Sequence, residues 1–139
     1  MSPTKPPAQA VLPLGRRNVK TLQARAVKDG LRWLHADCAA ARSKRDVMAT
    51  LAKAFGLPAH FGGNLDALYD CLTDLEPLPG HAKAGFLCVL EHLPTGSGFG
   101  AAQIETLLEV FVDAAEHFRE RGIEFQTFYS LSGESPALP

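Results

Sequence analysis

The stretch Leu57-Pro58-Ala59-His60-Phe61-Gly62-Gly63-Asn64-Leu65-Asp66-Ala67-Leu68-Tyr69-Asp70-Cys71-Leu72-Thr73 decides the reading of this chain. Gly62-Gly63 supplies a turn, and Asn64 is a favoured N-cap residue whose side-chain oxygen satisfies an orphan N–H of the first helical turn. A helix is expected from Asn64 to about Leu75, stopped by Pro77, which has no N–H to offer a helix interior. At about 100° per residue, Leu65, Leu68, Leu72 and Leu75 share one side and form the core contact. Tyr69, Thr73, Asp66, Asp70 and Asp74 fill the opposite arc, with Ala67 and Cys71 at its margins. The aspartates recur every fourth residue, so their carboxylates lie on one strip about 6 Å apart and repel one another. The helix macrodipole favours Asp66 and opposes Asp74. The strip works against folding, and natural sequences keep such local conflicts mainly where function needs them.

The rest of the chain sharpens this contrast. It has 139 residues, 14.9 kDa, 46% hydrophobic and 21% charged residues, the profile of one soluble globular domain. The net charge of −1 hides a division: residues 1–53 carry 11 Lys/Arg against Asp29, Asp37 and Asp46, whereas residues 54–139 carry only Lys83, Arg119 and Arg121 against 12 acids. Two explanations are open. The basic N-terminal part folds back to neutralise the acids, or the acids await a cationic partner. The longest apolar run, Phe86–Leu90, is far short of the ~18 residues a membrane helix needs. No signal peptide is expected, because Pro13 breaks the stretch Ala8–Leu14 and Arg16-Arg17 follows it. Cys38, Cys71 and Cys88 are odd in number and lack CxxC spacing, which implies reduced thiols and a cytoplasmic setting.

Residues 1–28, with four prolines and scattered basic residues, read as an extension whose first fifteen residues are mobile; Asn18–Lys28 suits either a short strand or a short helix. A domain is expected over 29–131, followed by a tail at 132–139. Leu31–Ala36 reads as a strand. Ser43 starts a helix by capping the amide of Asp46, whose carboxylate reaches back in the manner of a capping box. Val47, Met48, Leu51 and Phe55 share that helix's core face, and Gly56 ends it. The apolar Phe86–Leu90 reads as a central strand. A long helix carries Ile104, Leu107, Leu108, Phe111, Ala115 and Phe118 at spacings of three and four, with Gly122 closing it. Ile123–Tyr129 alternates, as in a strand with one solvated face. Strands separated by helices imply parallel pairing with right-handed crossovers. The expected fold is therefore a two-layer α/β domain, with three parallel strands in order 1-2-3 and the helices on one face.

For the acidic strip, the spacing of the carboxylates is comparable with the step between successive phosphates of a nucleic-acid strand. It would suit a basic cleft built for RNA or DNA, with Tyr69 and His60 able to stack where a base would lie. Three other readings are weaker. Asp66 and Asp70 as acid–base pair, or as metal ligands with His60, would lack the concave, desolvated pocket such chemistry needs. Gly62-Gly63-Asn64 opening a helix has an anion-site geometry, but Asp66 one turn on repels a phosphate. Arg16, Arg17, Lys20, Arg25, Lys28 and Arg32 form a basic stretch poor in aromatic residues, better suited to solvent than to a specific nucleic acid.

The quoted run closely resembles the signature of the barstar family of intracellular ribonuclease inhibitors. The resemblance extends over about residues 31–130, and residues 1–28 have no counterpart in it. It implies an inhibitor rather than an enzyme, with no catalytic residues, metal or cofactor. The partner implied is a cognate ribonuclease, of extracellular or toxin type, in a bacterial antitoxin or immunity setting. Asp70 matches the aspartate that mimics a phosphate among the nuclease's cationic groups, and Asp66 a second contact aspartate. Tyr69 stands in place of a tryptophan and His60 in place of a tyrosine. Asp113 resembles a glutamate on the later helix. The expected partner-binding set is Asp70, Asp66, Tyr69, His60, Asn64, Gly62, Thr73, Asp74 and Asp113. The alternative is an immunity or regulatory protein for a different basic toxin, with no ribonuclease target. No membrane or nucleic-acid partner is expected.

Overall fold

The structure, a computed structural model, describes residues 10–58, 63–81, 83–96 and 98–133. Its elements in order are β1 (Val11–Pro13), α1 (Val19–Asp29), β2 (Arg32–Asp37), α2 (Lys44–Phe55), α3 (Leu65–Thr73), β3 (Gly85–Leu93), α4 (Ala101–Arg119) and β4 (Glu124–Leu131).

The helix signals act as expected. Ser43 Oγ accepts from Asp46 N at 3.2 Å, and α2 buries Val47, Met48, Leu51 and Phe55 before Gly56 ends it in the left-handed conformation. The Asp46 carboxylate reaches back one residue further than a capping box requires, accepting from Arg42 N at 3.0 Å. Asn64 Oδ1 accepts from Ala67 N at 2.7 Å and opens α3, which buries Leu68 and Leu72. That helix ends at Thr73 rather than near Leu75, and Leu65 and Leu75 are only half-buried. Helix α4 turns Leu107, Phe111, Ala115 and Phe118 inward as expected, but buries Val110 and Ala114 where Ile104 and Leu108 are only half-buried, and it is capped at Glu120, before Gly122. Phe118 stacks on Phe125 of β4 with ring centres 5.3 Å apart.

The sheet departs from the expectation. It has four parallel strands in order β1-β4-β3-β2, not three in order 1-2-3. The three expected strands keep their mutual order with the apolar one central. The fourth comes from Val11–Pro13, which pairs with Thr127–Tyr129 at the far edge. Pro13 is tolerated there because an edge strand has a side free of ladder bonds.

The helices are not confined to one face either. Phe86, Cys88 and Leu90 of β3 join the core beneath α2, α3 and α4, while Leu87 and Val89, pointing the other way, pack with Leu14, Leu22 and Ala26. Helix α1 thus covers the second face and the fold has three layers, not two. The cause is handedness. The β1-to-β2 connection crosses the sheet in the opposite sense to β2-to-β3 and β3-to-β4, and a right-handed crossover run backwards lands on the other side.

The expected extension over 1–28 is corrected accordingly for its described part. Residues 10–28 supply a strand, and a helix capped by Asn18 (whose side chain accepts from Thr21 N) and closed by Gly30. The outer face of the last strand is not solvated: Gln126 is 3% exposed, and its Nε2 donates to Ala10 O at 3.2 Å. At 132–139, Ser132 N donates to Leu93 O, and residues 134–139 lie outside the described chain.

Candidate functional site

Helices α3 and α4 pack against each other on one face of the sheet and leave an open cleft of about 570 Å³ between them. Leu65 and Val110 give it an apolar part. Around them stand Asp66, Tyr69 and Asp70 from α3, and Asp113, Glu116, His117 and Glu120 from α4. Each helix is oriented by its buried leucine or phenylalanine stripe, so the acids are displayed because the apolar residues have claimed the inner faces.

Among the described residues, the ion pairs are Arg25–Asp29, Arg25–Glu124, His35–Glu91, His92–Asp37 and Arg119–Glu116. In the cleft, only Glu116 is taken up, with both its oxygens 2.7 Å from Arg119 Nη2. Asp66, Asp70, Asp113 and Glu120 carry no ion pair among the described residues. Neutralisation by the folded-back N-terminal part therefore fails for this cleft. Helix α1 lies beyond the sheet, and among the described residues the Lys/Arg of the first half that ion-pairs with an acid of the second is Arg25, bound to Glu124 at 3.0 Å. The field of the strip reaches Cys71, whose thiol is pushed up first by partial burial and then by the charges of Asp74 and Asp70.

The structure brings Asp66, Tyr69, Asp70 and Asp113 together across two helices, α3 ending at Thr73 and α4 beginning at Ala101. Asn64, Thr73 and Asp74 do not line the cleft. Asn64 spends its side chain on the helix cap, and Thr73 Oγ1 donates to Tyr69 O at 3.0 Å and Asp70 O at 3.1 Å. Asp74 ends α3, exposed. His60 and Gly62 lie outside the described residues. The cleft also holds Glu116, His117 and Glu120, which the sequence reading did not single out for the site. Their signal was spacing: they follow Asp113 by three, four and seven residues, one helical stripe.

Residues 31–130 match the family model described as Barstar (barnase inhibitor). The chain belongs to the barstar family. The matched span begins one residue after α1 closes at Gly30, so β1 and α1 lie outside it. Among the described residues, no group of three or more His, Cys, Asp or Glu side chains is placed to hold a metal ion, and no helix is long and apolar enough to cross a membrane. Two of the three thiols are deeply placed: burial raises Cys38 to about 11, helped by Asp37, and Cys88 to about 12. Neither is a nucleophile at neutral pH.

Proposed function

We propose that this barstar-family chain is a cytoplasmic ribonuclease inhibitor that plugs the basic active site of a cognate ribonuclease with the acidic face of α3. Asp70, midway along the strip, takes the place of an RNA phosphate, Asp66 supports it one turn earlier, and Asp113 adds a charge from α4. Tyr69 offers a ring between the two aspartates, and Asp74 extends the strip. On the family pattern His60 and Gly62 contact the same partner. Asn64 and Thr73 act within α3, holding its first and last turns. Inhibition is occlusion, with no bond made or broken. Opposite fields speed the encounter, and desolvated carboxylate–guanidinium contacts slow release.

The observation that carries this reading is the display of Asp66, Asp70 and Asp113 around one cleft with no ion pair among the described residues. Carboxylates left bare on neighbouring helices are costly to a fold unless a cation meets them elsewhere.

The test uses the full chain as immobilised bait in extract of its source cell, with RNA-cleaving activity assayed in the eluate. The wild type should capture and silence a ribonuclease. Asp70→Ala should lower capture at least tenfold, more than any other single change in α3, and association should slow as salt rises from 50 to 500 mM because the field is screened. A ribonuclease captured equally by wild type and Asp70→Ala removes the acidic helix from the account. A captured basic protein without RNA-cleaving activity favours the toxin-immunity alternative.

A further inference from the structure

His117 is the one imidazole lining the α3–α4 cleft among the described residues. It sits half-buried on α4, edge-on to Phe118 with ring centres 5.1 Å apart. Its Nε2 lies 3.4 Å from Arg121 Nη1. A guanidinium only donates, so a hydrogen bond between them needs Nε2 unprotonated and accepting. Protonation would cancel that contact and set two cations side by side. It would also place a positive charge in a cleft whose recognition chemistry is negative. From α3 the ring shares the cleft with Asp66, Tyr69 and Asp70; on its own helix it has Asp113, Glu120 and the Arg119-bound Glu116.

We infer that His117 makes this docking site pH-gated: the neutral imidazole leaves the carboxylates free to receive a guanidinium-rich surface, and the protonated imidazole competes with that surface for the same charge. The inference rests on the inhibitor reading above and concerns how that site is regulated. It requires binding of a cation and protonation of His117 to oppose each other, and linkage makes the opposition mutual. Acid favours the protonated ring, so the gate would close as the surroundings acidify.

The test takes the full chain and the blocked peptide (Gly-Arg)4, which has four guanidinium groups and nothing that titrates between pH 5 and 9. Titration calorimetry at low salt is run at pH 8 and pH 5.5 on wild type, His117→Gln and Asp70→Asn. Wild type should bind about three- to tenfold more weakly at pH 5.5, the size of one added like charge at a partly screened surface. At pH 6, in two buffers of different ionisation enthalpy, its binding should release a fraction of a proton. His117→Gln should lose both the pH ratio and the proton release. If His117→Gln keeps them while Asp70→Asn weakens binding, the gate is refuted and the acidic cleft stands. If Asp70→Asn binds as wild type does, or the peptide fails to bind wild type at pH 8, the cleft reading falls and the gate with it.

Discussion

At the residue scale, His92 has a positive φ of 59°, a conformation that costs a non-glycine residue of order 1 kcal/mol or more. It lies at the irregularity between Leu90 and Leu93 where β3 ends, and two contacts hold it there. Its N–H donates to Ser130 Oγ at 3.0 Å, and its Nδ1, 2.9 Å from Asp37 Oδ1, carries a proton because a carboxylate only accepts. Burial pushes the Asp37 carboxyl up, but the hydrogen bonds from His92 and Ala39 N and the charges of His92 and His35 outweigh it, and its pKa falls below 3.8. A carboxyl depressed by folding stabilises above its unfolded value and loses that contribution as pH drops through the folded one. Asp37→Asn should therefore lower stability at pH 7 by under about 1 kcal/mol, since Asp37 is 52% exposed. The deficit in urea should narrow as pH falls below 3.8. A deficit constant from pH 7 to pH 3 would assign the effect to shape rather than charge.

At the scale of the element, α3 shows a helix kept at some cost. It has nine residues, a good N-cap and two fully buried leucines, but its exposed face sets Asp70 between Asp66 and Asp74. Like charges at that spacing destabilise by about 0.2–0.5 kcal/mol per pair. Asp70→Asn should thus raise stability by about 0.5–1 kcal/mol in low-salt urea melts while reducing capture of the partner. A variant that loses both stability and capture would mean Asp70 supports the fold. In the opposite direction, Asn64→Ala should cost about 1 kcal/mol of unfolding free energy in the same melts. The start and the inward face of α3 were legible in sequence because capping and leucine spacing are local. Its early end was not, because Asp74 stops the helix with its N–H shared among Asp70, Cys71 and Leu72 carbonyls, a geometry no residue type announces. Helix α1 was ambiguous for a related reason. Its buried stripe is only Leu22 and Ala26, too small an apolar signal to separate helix from strand.

Across the whole molecule, β1 and α1 are structural. Leu22 is buried with Leu14, Ala26, Leu31, Leu87, Val89 and Phe128 in a core of its own behind the sheet. Leu22→Ala should cost about 2–4 kcal/mol in urea unfolding, the range for truncating a packed core leucine. An effect near zero would return this segment to the status of a loose extension. Placing α1 behind the sheet also keeps most of its basic residues away from the α3–α4 cleft. Lys44, Arg45 and Lys53 of α2, by contrast, share the sheet face that carries α3 and α4.

Local chemistry by itself determined the N-caps of α2 and α3, most of the inward faces of α2, α3 and α4, the central apolar strand and the acidic strip with Asp66 and Asp70 upon it. Those features depend on neighbours within one or two helical turns or on strand alternation. Tertiary structure alone decided that Val11–Pro13 completes the sheet, that Gln126 lies buried beneath the N-terminal segment, and that Asp113, His117 and Glu120 stand across a cleft from Asp66 and Asp70. A three-residue strand carries almost no periodic signal and exists because β4 offers it an unpaired edge. Two helices come to share a cleft through their packing on a common sheet face, a relation between distant residues that only the folded chain brings about.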